Sequence, residues 1–136
     1  MMKVNTVFVS DIIDDCRGEC SDTGQKIYTL NDIYPYADLV TYPSNFEGFG
    51  NAFLEAVYYR KPILVNNYSI YRIDIKPKGF EAIEIDGYVT DEAVCQTRKV
   101  LENPQLRERM VNKNYKIASQ FYSYSVLHDK LMNLMV

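Results

Sequence analysis

At 136 residues, with 47% hydrophobic and 24% charged side chains, the chain holds enough apolar material for one core. Its 15 basic and 18 acidic residues leave a net charge of −3, which argues against nucleic acid or an anionic membrane as partner. No apolar stretch is long enough to span a bilayer and the polar start Met1-Met2-Lys3-Val4-Asn5 is no signal peptide, so the expected location is the cytoplasm.

In chain order, the first expected strand covers residues 6–10. Residues 11–26, rich in Asp, Gly and Cys, read as an exposed loop. Cys16, Cys20 and Cys95 are an odd count without the paired spacing of a zinc site, so reduced thiols are expected. A metal role for Cys16 and Cys20 with the single histidine, His128, and one for the acidic pair Asp14-Asp15, are the weaker readings beside solvated loop residues. A short helix is expected over residues 30–37, limited by Pro35. Further strands are read at 38–42, 62–66 and 82–86. A helical pattern runs from Asn51 through Tyr59, and the alternation of strand and helix favours a parallel sheet covered by helices. The last third is helical. Thr90 is positioned as an N-cap with Asp91 and Glu92 in the first turn, Asn103-Pro104 as cap and first-turn proline of the next helix, and Ser123 as the cap of the last. Leu106, Met110, Ile117 and Phe121 share one face, and Leu127, Leu131 and Leu134 repeat the spacing, so both stripes are expected to be core. His128 is expected to be an ordinary surface or half-buried residue.

The segment from Tyr42 to Glu55, Tyr-Pro-Ser-Asn-Phe-Glu-Gly-Phe-Gly-Asn-Ala-Phe-Leu-Glu, carries the chemistry. Pro43 stops a strand, and Gly48 and Gly50 precede a helix whose first N–H groups and dipole suit a phosphate or a sugar oxygen. The two glycines remove side chains that would hold a ligand off that backbone. If the helix begins near Gly50 or Asn51, Glu55 lies about one turn in and leans back toward the N-terminus, so that Glu47 and Glu55 flank one pocket. An ionised carboxylate only accepts hydrogen bonds, and the vicinal hydroxyls of a hexose or ribose are donors spaced to meet both its oxygens. Alone, the same residues also fit an ordinary strand-to-helix turn with Glu55 in solvent.

The Pro-Ser, the Glu-Gly-Phe-Gly, the second glutamate eight positions after the first and the Lys61-Pro62 entering another strand resemble the E-x7-E region of the retaining GT-B glycosyltransferases, glycosyl transferases group 1. The resemblance extends from Ala37-Asp38-Leu39-Val40 upstream to the Leu101–Met110 segment and the closing helix, nearly the whole chain. It implies a partial doubly wound, Rossmann-like α/β domain over 1–136, the donor-binding half of such an enzyme, single and incomplete. It further implies that Glu47 is the catalytic residue contacting the donor sugar, that Gly48, Phe49, Gly50 and Asn51 lie against sugar and diphosphate, and that Leu54 and Glu55 hold the nucleoside and its ribose. The implied donor is a nucleotide sugar, the acceptor is open, and no metal or cofactor is expected.

Two departures from the family stand out. After the strand at 62–66, many members carry a paired-glycine turn with Pro-Glu, whereas this chain reads Asn67-Tyr68-Ser69-Ile70-Tyr71-Arg72, leaving the roles of Tyr68, Tyr71 and Arg72 open; a surface partner or Asp74 is expected for Arg72. Set against a complete enzyme of that family, the resemblance also leads one to expect that an acceptor domain and the first two strand–helix units of the donor domain are missing from residues 1–136. By resemblance residues 6–10 match the third strand and 38–42 the fourth, so the intervening edge is expected to be filled by residues 6–10 sliding in beside 38–42, with edge pairing between two copies or a loose N-terminus as the other outcomes; a missing N-terminal domain or a homodimer through the sheet edge is the partner this implies. The rival readings are a non-catalytic remnant serving as an interaction module, and a doubly wound domain with no sugar chemistry.

Overall fold

The apolar runs at 40–42, 63–66 and 83–85 build a three-stranded parallel sheet in a computed structural model that describes residues 4–135. The chain divides between Ala37 and Asp38 into two compact units. In the larger, β3 (Val40–Tyr42) pairs with β4 (Ile63–Asn66), and β4 with β5 (Ile83–Ile85). Each of these strands is a residue or two shorter than the apolar run that specifies it.

The register sorts the side chains by the pleat. Thr41 faces Leu64, and Leu64 and Asn66 face Ile83 and Ile85, which puts these residues on one side. That side is covered by α3 (Asp91–Glu102) and α4 (Pro104–Tyr122), so Leu64, Ile83 and Ile85 form a core with Ala93, Val100 and Met110. The opposite side carries Val40, Tyr42, Ile63 and Val65 against α2 (Asn51–Tyr58), whose Phe53, Ala56 and Val57 are buried. Phe53 has no exposure at all and meets Tyr71 and Phe80 with ring centroids 5.7 and 5.4 Å apart. Truncating such an aromatic to alanine costs about 3–5 kcal/mol.

The helix ends follow the capping rules. Thr90 accepts from the Ala93 N–H at 3.2 Å, Asn103 from Leu106 at 3.0 Å with Pro104 opening α4, and Ser123 from Val126 at 3.4 Å at the start of α5 (Tyr124–Leu134). Asn114, 1% exposed, gives Nδ2–H to the Glu81 carbonyl at 2.7 Å and takes the Glu81 N–H at 2.8 Å, tying α4 to the chain entering β5. Between β4 and β5 the backbone is helical: a wide π-helical turn over Tyr71–Ile75 runs into a 3-10 turn at Lys76–Lys78. Tyr71 donates to Glu84 at 3.2 Å, and Lys76 pairs with the same carboxylate at 2.6 Å.

The smaller unit has little secondary structure and no buried residue among those described. A two-residue antiparallel ladder joins β1 (Gly18–Glu19) to β2 (Lys26–Ile27), followed by the single turn α1 (Leu30–Ile33) and a 3-10 turn at Tyr34–Tyr36 that contains Pro35. Arg17 reaches Asp32 with both its Nε and Nη2, and Asp32 also accepts from the Thr29 N–H at 2.9 Å.

Four expectations are corrected. Residues 6–10 form no strand: Val7 and Phe8 are 80% and 90% exposed, and the segment ends in a 3-10 turn at Ser10–Ile12. They therefore do not replace a missing neighbour, and β3 pairs with β4 alone among the described residues. A strand is stabilised by its ladder, and an apolar alternation without a partner has nothing to register against. The α5 stripe is not core, since Leu127 and Leu131 are about half exposed and Leu134 is 82% exposed. On α4, Phe121 is also exposed at its end, while Met110 is buried as expected.

Candidate functional site

The site lies at the C-terminal ends of the parallel strands, where doubly wound sheets open toward ligands. Tyr42 ends β3, residues 43–50 form the connecting loop, and α2 starts directly after Gly50. Gly50 adopts φ 95° and ψ 52°, and no side chain caps the helix. The Phe53 and Leu54 N–H groups turn back to the Gly50 carbonyl at 3.0 and 3.4 Å, while those of Asn51 and Ala52 have no intrahelical acceptor. The result is two successive backbone donors without intrahelical acceptors at the positive end of a helix dipole.

The loop is held from below by Asn66, the last residue of β4 and 5% exposed. Its Nδ2 donates to the Ser44 carbonyl at 3.2 Å and to Asn45 Oδ1 at 2.6 Å, and its Oδ1 accepts the Gly87 N–H at 2.8 Å. One buried amide thus braces the loops that leave β3 and β5. A polar residue closing an otherwise apolar strand was the available signal for it.

Glu47 is partly buried in this loop. Hydrogen bonds from Ser44 and then Tyr42 hold its carboxyl below the usual glutamate range, so it is ionised at neutral pH. Burial, followed by the bond to Glu47, pushes the Tyr42 phenol far above its ordinary value, with Tyr68 and Glu55 adding to the effect through space. Tyr42 therefore connects the two glutamates: it donates to Glu47 and feels the charge of Glu55. In the sequence Tyr42 reads as a strand end and Ser44 as a turn residue, so neither carries a local signal for this role.

The other expected site residues distribute as follows. Gly48, Phe49 and Asn51 are exposed on the loop and helix start, and Leu54 and Glu55 are half-buried one turn in. A Cβ on Gly48 would meet nothing within 4 Å, which leaves room for a ligand. Gly50 differs from the expectation that its missing side chain clears a ligand path. It is buried, and its Cβ would lie 2.2 Å from the Tyr68 hydroxyl, so the space belongs to the protein. Phe49 packs edge-on against Tyr122 at 5.6 Å. Arg72 is exposed, and Asp74 pairs with Lys78 at 2.6 Å and with the Tyr122 hydroxyl at 3.1 Å instead. Among the described residues no group of three His, Cys, Asp or Glu side chains could hold a metal, and Cys16, Cys20 and Cys95 are free thiols. No helix among them is long and apolar enough to cross a membrane.

Comparison with known proteins decides the family. The model describing glycosyl transferases group 1 matches residues 23–117, which takes in β3, α2, β4, β5 and α3 together with the Glu47–Glu55 segment. The chain belongs to this family. It is 46% identical over 74 residues to mannosylglucosylglycerate synthase of Petrotoga mobilis, covering 54% of this chain and 16% of that protein. It is 31% identical over 112 residues to the protein of the same name from Thermotoga maritima, covering 73% and 26%. Alpha-D-kanosaminyltransferase of Streptomyces kanamyceticus is 28% identical over 97 residues, covering 71% and 25%. The chain thus spans about a quarter or less of the length of these relatives. No solved structure matches it.

Proposed function

We propose that residues 38–136 carry part of the nucleotide-sugar site of a glycosyltransferase that retains the configuration of the transferred sugar. The observation that supports this most is an ionised carboxylate, Glu47, one loop away from an uncapped helix start in a chain of this family. In retaining transfer the leaving diphosphate gains negative charge while the anomeric carbon becomes cation-like. The Asn51 and Ala52 N–H groups suit the first, and the Glu47 carboxylate, fixed by Ser44 and Tyr42, suits the second. Leu54 and Glu55 then meet the nucleoside, the carboxylate accepting from the ribose hydroxyls. None of these steps uses a metal. The names of two relatives make a mannosyl donor the first to test and a glucosylglycerate the first acceptor.

Glu47 and Glu55 separate experimentally. In the 136-residue chain, Glu55→Gln weakens GDP-mannose or UDP-glucose binding about tenfold, the loss of a charge-assisted bond worth roughly 1.5–3 kcal/mol. Glu47→Gln changes donor affinity by no more than a few-fold, because its charge matters most in the transition state. Saturation-transfer NMR with both nucleotide sugars reads the difference. Equal binding by both variants and the parent chain would remove the assignment.

A further inference from the structure

Tyr68 follows β4 by two residues and is 2% exposed, and its enclosed hydroxyl finds no hydrogen-bond partner among the described residues. An unpaired buried hydroxyl is destabilising, and phenylalanine would fill the same space without that cost. The ring's packing does not need the oxygen: it lies edge-on to Tyr42 and tilted to Tyr71, both at 5.9 Å. The hydroxyl points at the start of α2, occupying the place where a Gly50 side chain would stand, 2.2 Å from an added Cβ. Burial, with Glu47 nearby, pushes the phenol up to about 12, so it keeps its proton and acts as a donor. Glu47 acts on it only through space, since the hydroxyl has no hydrogen-bond partner among the described residues. Beside the Glu47 charge, the unpartnered polar groups at this point, the Tyr68 O–H next to Gly50 and the N–H groups of Asn51 and Ala52 that follow it, are donors, and three donors without acceptors suit an anionic oxygen.

We propose that Tyr68 is a further donor-binding residue, whose hydroxyl joins the Asn51 and Ala52 N–H groups in hydrogen-bonding an oxygen of the nucleotide sugar's diphosphate. The inference rests on the donor-site reading above. In the ligand-free chain Gly50 lies over the hydroxyl, so the contact forms as the 48–50 turn, with a glycine at each end, shifts aside. The oxygen is then retained for binding at the expense of stability.

That combination gives the test, in which inorganic pyrophosphate and GDP-mannose are titrated into the 136-residue chain and its Tyr68→Phe variant, and both proteins are thermally denatured. The variant is expected to melt at the same temperature or higher while binding both ligands roughly tenfold more weakly. A variant that melts well below the parent would show the hydroxyl to be structural and overturn the proposal. Unchanged binding of both ligands by Tyr68→Phe, alongside weakened GDP-mannose binding by Glu55→Gln, overturns this inference and leaves the donor site standing. A loss confined to GDP-mannose moves the contact to the sugar and overturns the diphosphate assignment. Failure of the parent chain to bind either ligand takes down the donor-site reading and this inference together.

Discussion

Gly48 and Gly50 stand two residues apart and are glycines for different physical reasons. Gly48 has an ordinary φ and open space where a side chain would be, whereas Gly50 has a left-handed backbone and the Tyr68 hydroxyl in that space. Gly50→Ala combines left-handed strain with overpacking and is expected to destabilise the larger unit by roughly 2–5 kcal/mol. Adding Tyr68→Phe removes the 2.2 Å collision and recovers much of the overpacking, the ring carbon still standing 3.3 Å away, but not the backbone part. Gly48→Ala leaves stability unchanged and weakens nucleotide-sugar binding, because its methyl enters space open to a ligand. Thermal denaturation of the three variants with donor titration checks all of this; a stable Gly50→Ala, or a Gly48→Ala that binds normally, would contradict it. The strand–loop–helix course of residues 42–55 was legible because its signals are close in sequence, Pro43 ending the strand and Glu55 falling about one turn into the helix that starts after Gly50. The Gly50–Tyr68 relation was not, since it joins residues separated by all of α2 and β4, and no local pattern records which ring fills a glycine's empty side.

At the scale of elements, what was local was legible. The caps at Thr90, Asn103 and Ser123 satisfy N–H groups three residues on, so sequence alone carries the contact. The strands at 40–42, 63–66 and 83–85 followed from apolar runs buried by helices on both faces. Residues 6–10 and the α5 stripe failed for one shared reason: periodicity says which side chains could be buried together, but not whether a partner is there to bury them. The ladder of residues 18–19 with 26–27 starts and ends around a stretch with no apolar alternation, which over residues 11–26 reads as loop. The smaller unit, without buried residues among those described, is held by its short backbone ladder and by polar contacts, among them Arg17 with Asp32. Arg17 and then the Thr29 N–H lower the Asp32 carboxyl to about 2, below an ordinary aspartate value of about 3.9. A carboxylate lowered in the folded state contributes stability that is complete above its unfolded value and is lost as the pH falls through its folded one. The ladder of β1 with β2 and the turn at α1 are therefore expected to loosen between about pH 4 and pH 2, ahead of the buried core of the larger unit. Amide NMR signals of Gly18, Ile27 and Asp32 followed through acid report it, and their persistence at pH 2 with Asp32 protonated would assign no such role to the pair.

Across the whole molecule, the apolar surface is unevenly covered. The sheet side of β3 away from β4 has no strand partner among the described residues, and α5 exposes Tyr124, Leu127, Leu131, Met132 and Leu134. Exposed strand edges recruit other strands, and amphipathic helices recruit apolar faces. The two liabilities differ in strength. The β3 edge is three residues long and ends at Pro43, which cannot continue a ladder, so edge pairing alone is weak. The α5 face repeats apolar residues over an eleven-residue helix and exposes five large side chains, so it dominates. The purified 136-residue chain is accordingly expected to self-associate with rising concentration, its mass by light scattering climbing above 15.8 kDa. Leu127→Lys with Leu131→Lys should return it to a monomer without loss of helix content, since both side chains are already half exposed and contribute little to the fold. Thr41→Pro at the β3 edge should change the association only slightly. A parent chain that stays at 15.8 kDa into the high micromolar range, or a double lysine variant that associates as the parent does, would show that the α5 face is not what brings copies together.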